Sequence, residues 1–426
     1  MFSPPLASFR VVDLGSAWAG PMAAQLLGDM GAEVIKVESR VRLDGLRLGR
    51  PMIGEDIAGG DRGLWPELQP LFHSLNRNKL SVTLNLKTAG GLRLALDVIA
   101  RSDVVLNNYS PGVLKRLGLD YPELRRVRPD IVLVSMPSVG ETGPLRDILA
   151  YAPIIQALSG LMSMVGYQED EPLVGELQSP WSDAVSSVQA ALAVVAALWH
   201  RSRTGEGQAI EVAQLEATTA MLGEALLDYQ MTGSVAQPKG NHDSEFAPHN
   251  NYPCDGDDKW VAISVGSEVQ WTSFCDVIGD PEWINDERFR TLEGRMRNQA
   301  ELNQLVGDWT RDRNAYEVMR LLQDAGIAAG VVLNADELMN DAHLNERGFF
   351  WKFDHPEAGF QTHAGQPIRL SETPARHYRP APTLGQHHPY VLGELLGLSD
   401  DEITDLEETG IIGYTPLVRE RYPRPS

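Results

Sequence analysis

Near the middle of the chain, Ser179-Pro180-Trp181-Ser182-Asp183 places a carboxylate directly ahead of a strongly apolar run, Val188 to Trp199. An aspartate at such a helix start has two readings. Its oxygens satisfy leftover amide N–H groups and complement the helix dipole. The same surroundings favour the ionised carboxylate, which is the form that attacks a carbonyl carbon. Asp183 is therefore the candidate nucleophile, with plain helix capping as the competing role.

Other chemistries lack their residues. The loop Ala17-Trp18-Ala19-Gly20-Pro21 has no G-x-G-x-x-G, so it offers no dinucleotide fingerprint, and no G-x-x-x-x-G-K-[ST] phosphate loop occurs. Ten histidines include no H-E-x-x-H, and no G-x-S-x-G elbow appears. Among 58 acidic residues, no spacing singles out a glycosidase carboxylate pair. His387-His388 lies in a proline-rich stretch and reads as surface.

The elements that must position Asp183 alternate along the first half. Arg10–Leu14 reads as a buried strand, and Pro21 starts a helix running to Met30. Glu33–Glu38 is the next strand. Strands Ser81–Leu86, Asp103–Asn108 and Asp130–Met136 alternate with helices Thr88–Arg101 and Tyr121–Val127. A helix over Ser182–Arg203 and a strand near Gln208–Ala213 follow. This alternation predicts a large α/β domain with a mainly parallel sheet flanked by helices. Ligands bind at the carboxyl ends of such strands, where the loops after Leu14, Asn108 and Met136 lie.

The second half reads as a smaller α+β domain. It has strands Trp260–Val265 and Ala329–Leu333 around helices near Val269–Ile278, Arg297–Thr310 and Ala315–Ala325. The expected boundaries are 1–225 for the large domain, completed by 385–426, then 226–345 for the small domain. Residues 346–384 form an extended connection.

Hydrophobic residues make up 43% of the 426 and charged residues 22%, a globular balance. The net charge of −21 argues against a nucleic-acid or anionic-membrane binder. Cys254 and Cys275 alone support neither a disulfide framework nor a zinc site. MFSPPLASFR shows no basic start before an apolar core, and Val188–Trp199 is too short for a bilayer, so a cytoplasmic protein is expected.

Several segments together resemble one family. VVDLGSAWAGPMAAQLLGDMGAEVIKVE is similar to the opening of the class III coenzyme A-transferases, the group of formyl-CoA transferase, carnitine CoA-transferase and α-methylacyl-CoA racemase. Asn76-Arg77-Asn78-Lys79, SVTLNLKT, Asn108 with Pro111-Gly112, Arg116-Leu117-Gly118-Leu119, Thr142-Gly143-Pro144 and Ala157-Leu158-Ser159-Gly160 follow in the family's order. So do Arg203-Thr204-Gly205-Glu206-Gly207-Gln208, Ala325-Gly326-Ile327 and Leu384-Gly385. Each piece is short; their number and order carry the resemblance over nearly the whole chain.

The resemblance implies that Asp183 is the family's nucleophile, carrying coenzyme A as an aspartyl thioester between an acyl-CoA donor and a carboxylic acid. It implies coenzyme A contacts at Ala17, Trp18, Arg40, Asn108 and Arg116, and oxyanion donors near Asp183 or at Ala17-Trp18. No permanently bound cofactor or metal is implied; the acyl-CoA is a substrate. An interlocked homodimer is implied, or a heteromer with a related subunit. Trp18 stands where formyl-CoA transferase has glutamine, which favours a larger or more apolar acyl group. The racemase alternative needs a base where this chain has Tyr151, a poor substitute for imidazole.

Overall fold

The computed structural model describes residues 3–48, 62–167, 180–279 and 282–417. Ser179 of the motif ahead of Asp183, and 418–426 of the C-terminal segment, lie outside the described residues. The chain forms two compact units. One holds 1–162, 176–230 and 346–426, and the other holds 163–175 and 231–345.

The larger unit alternates strands and helices: β1 (Arg10–Asp13), α1 (Ala19–Asp29), β2 (Glu33–Glu38), α2 (Pro70–Asn76), β3 (Lys79–Thr83), α3 (Ala89–Ile99) and β4 (Val104–Asn107). There follow α4 (Val113–Leu117), α5 (Tyr121–Val127), β5 (Val132–Ser135), α6 (Ala152–Leu158), α7 (Trp181–Thr204), β6 (Ala209–Glu211) and α8 (Gln214–Thr219). The six strands form one parallel sheet in the order β3-β2-β1-β4-β5-β6. Alternate residues of each strand feed opposite layers. Val12, Ile35, Val82 and Val105 pack with Leu94 and Val98 of α3 and with Val391 and Leu392. Val11, Val34, Val104 and Val132 pack with Ala23 and Leu27 of α1 and Ala190 and Val194 of α7. Burial on both faces is why these strands read as apolar runs.

Helix α7 is longer than the apolar run suggested. Its 24 residues reach the length of a bilayer span, and among the described residues it is the helix apolar enough for one. Its inner face, with Ala190, Val194, Ala197 and Leu198, is instead buried in the sheet layer. At its far end Arg201 pairs with Asp103 at 2.7 Å, beside the start of β4. The helix therefore begins at the carboxyl edge of the sheet and ends at the amino edge.

Residues 346–384 do not simply run extended. They carry an antiparallel hairpin, β10 (Phe350–His355) and β11 (Gly359–Ala364). Farther on, the histidine pair is not on the surface either. His388 is fully buried, and its Nε2 accepts from Thr83 N–H at 3.0 Å. His387 Nδ1 accepts from Ser81 N–H at 3.1 Å, and Ser81 C=O accepts from His387 N–H. Ile411 C=O takes Asn85 N–H just beyond. The C-terminal segment thus covers edge strand β3, whose free N–H groups would otherwise pair with another chain.

The smaller unit has the antiparallel sheet β7 (His249–Pro253), β8 (Trp260–Ser264) and β9 (Ala328–Val331). Tyr252, Val261 and Ile263 pack with Phe274, Leu302 and Val318 from its helices.

Candidate active site

The strand order reverses between β1 and β4, and the loops leaving the carboxyl ends of these strands open a cleft there. The cleft has a volume of about 70 Å³ and is lined by Leu14, Gly15 and Ser16 after β1, Ser39 and Arg42 after β2, and Tyr109 after β4. Burial pushes the Tyr109 phenol up to about 12, so it stays neutral.

Side chains from other elements fix the loop after β1. Gly15 N–H donates to Asp13 Oδ1 at 2.8 Å. Ser16 is held at both ends: its N–H donates to Asn108 Oδ1 at 2.9 Å, and its C=O accepts from Asn108 Nδ2 at 2.7 Å. Ala17, at φ 60, donates its N–H to Asp44 Oδ1 at 2.9 Å. A left-handed alanine is strained, and three consecutive anchored amides hold it there. Gly20 has no room for a side chain, since a Cβ would lie 3.0 Å from Gly15 Cα and 3.1 Å from Asn108 Oδ1.

Beneath the loop lies a cluster of buried charges. Lys79 Nζ reaches Asp13 at 2.9 Å, Pro21 C=O at 2.7 Å and Asn76 Oδ1 at 2.9 Å. Lys36 Nζ reaches Gly15 C=O at 2.9 Å and Asp44 at 3.1 Å. Burial pulls the Lys79 ammonium down, against Asp13, to about 8, so it remains largely charged at neutral pH. Burial would raise Asp13, but Lys79 and Lys36 outweigh it and hold the carboxyl below its usual range. Sequence reading missed this cluster. Its signal was visible: Asp13, Lys36 and Lys79 interrupt otherwise apolar strands, and buried charges occur where partners are built for them.

Asp183 stands in the first turn of α7, half-buried. Its carboxylate accepts from Ser182 Oγ at 3.4 Å, and the Ala19 amide in the first turn of α1 favours its charge. Two helix starts therefore meet at one carboxylate. The expected stabilisation of the charge is present but does not prevail. Burial outweighs the pull of the Ala19 amide and the Ser182 hydroxyl and pushes the carboxyl up to about 6. Asp183 is still mostly ionised at neutral pH. The loop thus lines the cleft with Leu14 to Ser16 and reaches Asp183 with Ala19.

The remaining sequence candidates divide. Ala17 and Trp18 lie in the anchored loop, but the Ala17 amide is committed to Asp44. Trp18 Nε1 is buried and has no acceptor among the described residues. Asn108 clasps the loop rather than facing the cleft. Arg40 turns into the C-terminal segment, donating to Thr415 C=O and Ile412 C=O at 2.7 Å each. Gly413, at φ 153, lies so close to that guanidinium that a Cβ would come within 2.3 Å of it. Arg42, on the cleft, is exposed, and so is Arg116 on α4; neither forms an ion pair among the described residues. Tyr151 is 67% exposed, far from the dry setting that would tune a base. No cluster fit to hold a metal occurs among the described residues.

The sequence profile of CoA-transferase family III matches residues 6–388. The chain belongs to this family. Like its family III relatives it is an enzyme, and coenzyme A thioesters are its substrates. It is 32% identical to a succinyl-CoA–D-citramalate CoA-transferase of Chloroflexus aurantiacus, over 96% of this chain and 98% of that one. It is also 32% identical to the beta subunit of a succinyl-CoA–L-malate CoA-transferase of the same organism, over 96% and 98%. Its structure is similar to the crystal structure of a CAIB/BAIF family protein from Brucella suis, with a TM-score of 0.82 and 28% identity, over 92% of this chain and all of that one.

Proposed function

We propose that this family III enzyme moves coenzyme A from an acyl-CoA to a free carboxylic acid through a thioester on Asp183. An Asp183 oxygen attacks the donor carbonyl; the C–S bond breaks, leaving an aspartyl–acyl anhydride and the coenzyme A thiolate. The thiolate attacks the aspartyl carbonyl and releases the donor acid. The acceptor carboxylate then attacks the aspartyl thioester and frees the thiolate. Attack of that thiolate on the acceptor carbonyl completes the new acyl-CoA and restores Asp183. No proton is gained or lost overall.

The observation that carries this reading is the place of Asp183 where two helix starts are tied together, Ser187 Oγ lying 2.6 Å from Asp183 C=O and 2.8 Å from Ala19 C=O, which sets Ala19 N–H on the side of the carboxylate. When Asp183 is acylated its carbonyl oxygen occupies the same place, and that N–H stabilises the oxyanion as each tetrahedral intermediate forms. The mouth of the cleft at the β1–β4 reversal suits a phosphate of coenzyme A, with Arg42 on the cleft and Arg116 on α4 as candidate partners. Arg40 is already engaged and leaves that role to Arg42. The buried Trp18 N–H suits an oxygen of the acyl group. The relatives named for succinyl-CoA make a short dicarboxylic acyl-CoA the first donor to assay.

A second copy of the chain suits the outward face of α7. Trp181, Val188, Leu192, Val195 and Trp199 are exposed there at heptad spacing. Leu192→Glu should then lower the mass measured by light scattering toward that of one chain. For the chemistry, Asp183→Asn should abolish exchange of labelled acid into acyl-CoA while the variant stays folded. Normal exchange by that variant would end the proposal.

A further inference from the structure

A serine hydroxyl has one hydrogen to donate. Helix α7 carries two fully buried serines side by side, Ser186 and Ser187. Ser186 Oγ donates one turn back to Ser182 C=O at 2.6 Å, a bond wholly within the helix. Ser187 Oγ lies 2.6 Å from Asp183 C=O and also 2.8 Å from Ala19 C=O, which belongs to α1. Its single hydrogen is shared between these two carbonyls. Ser187 Oγ therefore ties Ala19, the first residue of α1, to the turn of α7 that carries Asp183.

The rest of the contact between the two helices is apolar. It is built largely from small or β-branched apolar side chains, Ala23 and Ala24 on α1 with Ala190, Val194 and Ala197 on α7, beside the larger Leu27 and Leu198. Dispersion contact between such smooth surfaces changes little when they slide by a few tenths of an ångström. A hydrogen bond is directional and weakens steeply with misalignment.

We propose that Ser187 is a positioning residue for Asp183: by tying the first peptide of α1 to α7, its hydroxyl sets the approach of Ala19 N–H to the nucleophilic carboxylate. The inference rests on the reading of Asp183 as nucleophile and adds the residue that aligns its amide donor. Without the hydroxyl, the first peptide of α1 loses its tie to the turn that carries Asp183, and Ala19 N–H stabilises the ionised carboxylate and the later oxyanion less well.

The test compares Ser187→Ala with Ser186→Ala, which removes an equally buried hydroxyl that does not reach α1. In Ser187→Ala, the acid limb of kcat/KM should move up by about half a pH unit or more, because the amide dipole that favours the charged form is no longer held in place. Its kcat should fall about tenfold through the weakened oxyanion donor, with KM for the acyl-CoA changing less than twofold. Ser186→Ala should lose similar thermal stability and keep the wild-type limb. Ser187→Cys, which retains a weak donor, should fall between. Identical pH limbs and kcat values for the two alanine variants overturn the inference. If Asp183→Asn is inactive while Ser187→Ala behaves as wild type, only the positioning role fails; if Asp183→Asn is active, the nucleophile itself is misassigned.

Discussion

If Asp183 is the nucleophile, its raised carboxyl makes the reaction acid-sensitive in a range where an ordinary aspartate would not. Burial pushes the group up to about 6. A raised acid is protonated sooner as pH falls, and the protonated form is no nucleophile. The ionised fraction is then roughly 90% at pH 7, about half at pH 6 and roughly 10% at pH 5. kcat/KM reports the free enzyme, so it should fall about tenfold between pH 7 and pH 5. An exposed aspartate near 3.9 would stay roughly 90% ionised at pH 5 and give an almost flat profile. The assay uses an acyl-pantetheine, which removes the titrating phosphates of coenzyme A, with circular dichroism at each pH to show that the fold persists. A profile flat down to pH 5, in protein that is still folded, would refute the assignment of a buried, desolvated nucleophile.

Other consequences follow from the groups that hold the loop and the edge strand. Burial pulls His355 down to about 3 and His363, His387 and His388 to about 4. These groups bind protons readily only when unfolded, so between pH 6.5 and pH 4 acid favours the unfolded chain. The melting temperature should drop steeply across that window, and His355→Asn, which keeps an acceptor for Glu357 and Ala358 N–H, should lessen the drop. Lys79→Met leaves Asp13, Pro21 C=O and Asn76 Oδ1 without their ammonium; it should cost about 3 kcal/mol or more in denaturant unfolding. Adding Asp13→Asn should then cost far less than it does alone. Asn108→Ala frees both ends of Ser16 and should raise KM for the acyl-CoA while leaving the melting temperature within a few degrees.

What could be read from the sequence was what local patterning determines. RVVD and EVIKVE are strands because both their faces are buried, and Tyr121–Val127 is a helix between two turns, as read. Asp183 at the head of α7 was legible from its place before an apolar run. The misses depend on partners far away in the chain. FWKFDH and GFQTHA carry lysine, aspartate and histidines and show no clean alternation, yet they pair as a hairpin that packs within the larger unit. His387 and His388 look solvated until Ser81 and Thr83, some 305 positions earlier, supply their hydrogen-bond partners. Arg40 looked free for a phosphate because its acceptors lie about 370 residues downstream. The Ser187 hydroxyl is one of several serines on its helix, and only the packing of α1 distinguishes it from Ser186.

The most direct test of the account is to mix the enzyme with acyl-CoA alone, quench rapidly, digest, and locate any added mass by peptide sequencing. The account requires a coenzyme A thioester on the side chain of Asp183, formed without acceptor acid and discharged when acceptor is added. A fully active enzyme that never carries this adduct, or that carries it on another residue, would contradict it.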